Sequence, residues 1–153
     1  SQYLRRPFPD DALSAGRYPV GGTPGTLGDI TLPTFMVGTV TDHVAPWRSV
    51  FKLQQLSPAE NTFVLTSGGH NAGIVSPPGN PRRHSQMLTR PAGGNYLPPD
   101  AWLAAATDTP DSWWPAWLAW LKARSGTPVK PPRAGATAYP PVGDAPGTYV
   151  LEK

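Results

Sequence analysis

The hydrophobic positions fall into a few short, separated runs. TFMVGTV, residues 34–40, is β-branched and aromatic and too short for a helix, so it predicts a buried strand. TDHVAP follows as a loop, then a segment with helical spacing over 46–57. There Trp47, Val50, Phe51, Leu53 and Leu56 form an apolar stripe, while Arg48, Lys52 and Gln55 lie opposite. Pro46 suits the first turn, and Ser57-Pro58 ends the segment. TFVLT, residues 62–66, predicts a second strand. Strand, loop, helix, strand is a βαβ unit, which predicts parallel neighbouring strands joined by a right-handed crossover.

Beyond this unit the pattern changes. IVSPPGNPRRH, residues 74–84, is too rich in Pro and Gly to predict regular structure. Two helical segments follow, at about 99–107 and about 112–124, the second capped by Asp111 or Ser112 with Pro115 in its first turn. Residues 1–29 read as an irregular lead-in with one helical turn near 11–15, and residues 126–153 as an extended Pro/Gly-rich tail. The segment 30–125 between them carries the fold. Two parallel strands do not make a protected sheet. Trp102, Trp113, Trp114, Trp117 and Trp120 also present more aromatic surface than these elements bury alone. The expected fold class is therefore α/β with an incomplete sheet, the C-terminal part of a larger α/β protein or a piece that docks onto one.

Composition narrows the function classes. The chain has 153 residues, 21 of them Pro, which argues against an all-helical or repeat protein. The net charge of +3 is scattered apart from Arg82-Arg83-His84, so no basic stripe suggests nucleic-acid binding. That trio reads as solvated surface, with contact to an anionic substrate as the alternative. No apolar run is long enough to span a membrane, and nothing reads as a signal peptide. Cysteine is absent, which excludes disulfides and thiolate metal sites, and places any Cys nucleophile outside this chain.

The candidate chemistry lies past the two strands. In parallel sheets, functional groups sit on loops beyond the carboxyl ends of strands. Asp42 follows the first strand, and His70, in LTSGGHNAGIV, follows the second. Adjacent parallel strands would bring the two side chains to the same sheet edge, within hydrogen-bonding range. That is the acid-and-base half of a nucleophile–His–Asp relay, in the chain order of α/β-hydrolases. Each residue has a plainer reading: Asp42 as a helix cap, His70 as a surface histidine. His43 competes with His70, but directly after Asp42 it would point away from that carboxylate. Asp42, His43, His70 and His84 lack any tight metal-ligand spacing. The Trp-rich helix reads as core or lid packing.

TDHVAPWRSVFKL, FVLTSGGHNAGIVSPPGNPRRH and DSWWPAWLAWL, in that order, resemble the C-terminal catalytic half of polyhydroxyalkanoate synthases. The class I type, poly(3-hydroxybutyrate) polymerase, is the nearest likeness, and residues 25–125 carry most of it. The resemblance implies an α/β-hydrolase fold whose Cys nucleophile, in a G-x-C-x-G box, lies upstream. It implies an acyltransferase that polymerises (R)-3-hydroxyacyl-CoA into polyester and releases CoA, without a cofactor. Carried over by residue, His70 would be the general base and Asp42 the third catalytic residue. Asp42 would either orient the His or activate the 3-hydroxyl of the incoming unit. His43, Trp47 and Asn71 fall in the same blocks, in the vicinity of the site. The family also implies a homodimer and a cytoplasmic location on polyester granules. Without the Cys box this chain alone is not expected to polymerise. The rival readings are an esterase, lipase or thioesterase on the same frame, a non-catalytic module binding a granule or partner through its Trp face, and an only partly folded fragment.

Overall fold

A computed structural model describes all residues except Ser1, Phe8 and Lys153. The lead-in and tail expectations extend onto those three residues and to that extent lie outside the described residues. Residues 1–123 form one compact unit and 124–153 a second. The lead-in holds more structure than the sequence predicts. It contains a short helix α1 (Gln2–Arg5) and an antiparallel hairpin of β1 (Tyr18–Val20) and β2 (Thr23–Gly25), turning through Gly21 and Gly22 at positive φ. A 3₁₀ turn, Leu27–Asp29, follows.

The main sheet has four strands in the order β3 (Thr34–Thr39), β4 (Asn61–Thr66), β5 (His84–Arg90) and β6 (Thr107–Pro110). β3 and β4 are parallel and in register from Thr34 with Asn61 to Thr39 with Thr66. β5 and β6 then add antiparallel, so the arrangement is mixed α/β rather than the two-stranded unit expected. β5 corrects the reading of 74–84 as wholly irregular, because His84 already begins a strand. HSQMLTR lacks the Val and Ile of a buried strand, and its pairing with β4 stabilises it instead. β6 corrects the helix expected over 99–107, which stops at Ala105. Thr107 opens a fully exposed edge strand that ends on Pro110, as an edge tolerates.

The crossover between β3 and β4 is helical but not continuous. α2 (Trp47–Val50) and α3 (Leu53–Leu56) are separated at Phe51 and Lys52, where the Lys52 N–H bonds Ser49 O and the Gln54 N–H bonds Phe51 O. These three-residue steps tighten the segment to 3₁₀ geometry, while the apolar stripe still faces the sheet. α4 (Pro99–Ala105) and α5 (Trp114–Ala123) complete the layers.

All six residues of β4 are buried, because both sheet faces are covered. On one face Met36, Phe63 and Leu65 pack with Phe51 and Trp102, flanked by Trp47, Val50, Leu53, Leu88 and Leu103. Phe63 stands edge-on to Phe51 and Trp102, with centroids 5.0 and 5.1 Å away. Truncating such a side chain costs about 3–5 kcal/mol, so this cluster anchors β4. On the other face Phe35 of β3 meets Trp113 and Trp120, which fastens α5 to the sheet. Trp102 and Trp113 are buried, whereas Trp117 remains exposed. In the second unit, Ala136 and Tyr139 form an isolated bridge and Tyr149–Leu151 a 3₁₀ turn.

Candidate active site

The parallel register brings the ends of β3 and β4 level. Two further bonds join the loops that leave them: Val40 N–H to Thr66 O, 3.0 Å, and Thr41 N–H to Gly68 O, 3.1 Å. The Asp42 side chain then turns back over its own loop. Oδ1 accepts from the Val44 and Ala45 N–H groups, both at 2.8 Å, which is the turn-capping role open to any Asp before a helix. The same carboxylate accepts from His70, with Nδ1 at 3.0 Å from Oδ2 and 3.2 Å from Oδ1. One carboxylate therefore makes both the turn-capping bonds and the contact with the imidazole.

Electrostatics follows from these contacts. The Ala45 N–H is the strongest influence on the Asp42 carboxyl. Partial burial opposes it, and the bonds from His70 and Val44 reinforce it, so the pKa falls from 3.8 to about 2. Asp42 is thus ionised near neutrality and can only accept a hydrogen bond. Nδ1 of a neutral His70 must then carry the ring proton, which leaves the Nε2 lone pair free to take one. The Asp42 side chain is 8% exposed and that of His70 48%, so the carboxylate is sheltered and the imidazole presents itself outward. Nε2 has no hydrogen-bond partner among the described residues.

His70 sits in a short helical turn closed by Gly73 N–H to Gly69 O, 2.9 Å, and by Ile74 and Val75 N–H to Asn71 O. Two glycines are required. Gly68 has φ +105, and a Cβ there would run into the Arg83 guanidinium. Gly73 lies so close to β3 that a Cβ would come within 2.5 Å of Thr39 Cγ2. Beyond the turn, the Trp113 indole N–H donates to Gly73 O at 3.1 Å and that of Trp114 to Ile74 O at 3.0 Å. Asp111, at φ +72, accepts from the Gly79 and Asn80 N–H groups. Those backbone contacts hold its carboxyl below the usual carboxylate range, that of Gly79 most strongly. These anchors were not legible in sequence: periodicity reads the tryptophans as packing, and a bond from an indole to a distant carbonyl leaves no local pattern.

Among the described residues, none of the other candidates bonds to either member of the pair through its side chain. His43 is exposed, with no partner for its ring among the described residues. Trp47 belongs to the core, tilted against Phe63 and Trp102, with the Arg48 guanidinium over its ring. Asn71 is exposed and contributes its backbone carbonyl to the turn. In the basic trio, Arg83 donates to Ser67 O and His84 meets Asp108 in an exposed pair. No group of three or more His, Asp or Glu among the described residues is placed to hold a metal ion.

A carboxylate-held imidazole thus stands at the carboxyl ends of adjacent parallel strands on a mixed α/β sheet. Comparison with known proteins makes this particular: the chain belongs to the poly(3-hydroxyalkanoate) polymerase family. It is 43% identical over 136 residues, 88% of its length, to poly(3-hydroxyalkanoate) polymerase 2 of Ectopseudomonas oleovorans. It is 36% identical over 99% of its length to the polymerase subunit PhaC of Rhizobium etli, and 35% identical over 99% to that of Cupriavidus necator. The chain spans about a quarter of the length of these curated relatives, covering 23% of the first two and 25% of the third. No family model matches it.

Proposed function

We propose that this chain is the C-terminal catalytic portion of a polyhydroxyalkanoate synthase of the α/β-hydrolase fold, with His70 as general base and Asp42 as its orienting carboxylate. The observation that carries the reading is the 3.0 Å contact between His70 Nδ1 and Asp42 Oδ2 at the shared edge of β3 and β4. The names of the relatives supply the substrate class, a hydroxyacyl unit joined into polyester. In this reading a Cys thiol from another part of the polymerase gives its proton to His70 Nε2. The thiolate adds to the thioester carbonyl of (R)-3-hydroxyacyl-CoA, and CoA leaves as its thiol, taking the proton back from the imidazolium. The 3-hydroxyl of a neighbouring unit then loses its proton to Nε2 and attacks the acyl–Cys thioester. An ester bond forms and the Cys sulfur is expelled and reprotonated. Asp42 fixes the ring tautomer and balances the imidazolium at both stages. The same reading makes the whole polymerase a cytoplasmic homodimer bound to polyester granules.

The test uses the full-length polymerase with (R)-3-hydroxybutyryl-CoA, following CoA release and insoluble polyester together. His70→Ala should lower both by about 10³-fold or more, and Asp42→Asn by about 10²-fold, the range that a positioned base and its partner supply. CoA release without polyester from the wild type would instead make it a thioesterase or hydrolase. Undiminished polymerisation by His70→Ala would remove His70 from the mechanism.

A further inference from the structure

We propose that Asp111–Trp114 is a positioning clamp for the loop bearing His70, and that the Trp113 indole sets the imidazole against Asp42. This rests on the reading of His70 as the base. Residues 67–83 connect β4 to β5 without regular structure, and a connection of that length is free to sample many positions unless something ties it down. The His70 side chain itself makes one tie, to Asp42. Backbone bonds such as Thr41 N–H to Gly68 O hold the start of the connection, and the segment 111–114 makes the ties further along. The Asp111 carboxylate receives the Gly79 N–H at 2.8 Å and the Asn80 N–H at 3.1 Å. The Asp111 N–H donates to Arg83 O at 2.6 Å. The two indoles reach consecutive carbonyls, Gly73 O and Ile74 O. Asp111 holds a left-handed backbone that a non-glycine residue seldom adopts, and these bonds keep it there.

A buried indole N–H needs an acceptor, and any carbonyl would satisfy it. The choice of acceptor here is what points to positioning. Gly73 closes the turn that contains His70, through its own N–H to Gly69 O. Trp113 is in turn fixed on β3, its ring 6.3 Å from that of Phe35, and it is buried. β3 is the strand that delivers Asp42. One side chain thus references the histidine's turn to the strand that delivers its partner, and Gly73 completes the contact by lying directly on Thr39. The indoles of Trp113 and Trp114 bond to the turn and not to either member of the pair, so the role assigned to them is positioning.

The deciding experiment compares Trp113→Phe with wild type in the full-length polymerase. Phe keeps an aromatic ring against Phe35 while removing the N–H, together with the five-membered part of the indole. We expect kcat to fall about 10-fold with KM within about twofold, since small misplacements of a reacting group carry penalties of this order. In an Asp42→Asn background the same change should cost less than about threefold, because the ring has already lost its alignment. An unchanged kcat, or the full 10-fold loss in both backgrounds, overturns the clamp. If Trp113→Phe fails to fold, Trp114→Phe, whose ring is more exposed, is judged by the same criteria. His70→Ala alongside separates the two ideas. Full activity there defeats the base assignment and the clamp with it, whereas loss there without loss in Trp113→Phe defeats the clamp alone.

Discussion

The two ends of β4 are built differently. At the amino end, Arg90 of β5 reaches across it, donating to Gln54 Oε1, Gly94 O, Ser57 O and Ala59 O. Asn61, fully buried, donates to Ala59 O and accepts from the Thr34 hydroxyl. This end is a closed, mutually satisfied polar network. At the carboxyl end His70 is half exposed, its Nε2 has no hydrogen-bond partner among the described residues, and its loop is tied down at the edges by backbone amides and indoles. The amino end locks the chain crossing; the carboxyl end leaves one atom available while fixing everything behind it. Under the proposed function, stability and reactivity fall at opposite ends of one strand.

Substitutions at the two ends should therefore separate in what they change. Arg90→Ala strands several part-buried carbonyls at once and should cost about 2–4 kcal/mol in urea unfolding. Activity per folded molecule should stay at the wild-type level in the cold. A large loss of kcat with little loss of stability would break the comparison. Acid titration sharpens it from the other side. The Asp42 carboxyl is depressed in the folded state, so its contribution to stability is present above the ordinary 3.8 and lost as pH falls towards about 2. Unfolding followed between those values should be less pH-sensitive in Asp42→Asn than in wild type. Equal slopes would mean that the carboxylate is not held as its contacts require. The smallest effect belongs to neither end. Arg48 and Asp100 form a 2.6 Å pair in the open, with side chains 53% and 84% exposed. Arg48→Ala should change stability by about 0.5 kcal/mol or less and leave kcat/KM alone.

How much of this was legible in the sequence depended on the range of the interaction responsible. Strands β3 and β4 follow from dense runs of Val, Phe, Met and Leu, and the meeting of Asp42 with His70 follows from the crossover rule applied to them. β5 was not legible, because Ser85 and Gln86 carry little strand signal and their conformation is imposed by pairing with β4. β6 was masked by the alanines before it, which read as more helix. The break at Phe51 was hidden because the apolar stripe runs across it unchanged. At the site, the dual use of Asp42 was visible only as two competing readings. The indole anchors join residues 40 positions apart and leave no local trace.

The parallel register of β3 with β4 has a consequence for how the protein is made. Asp42 and His70 are supplied by separate strands, and a slip of one residue would carry one side chain along its strand by about 3.3 Å and turn it to the opposite face. The pair therefore forms only once the crossover has closed and the strands have zipped in the correct alignment. A folding intermediate with both strands formed but unpaired would hold no aligned base. Under the proposed function, alignment of the base thus waits on the pairing of β3 with β4.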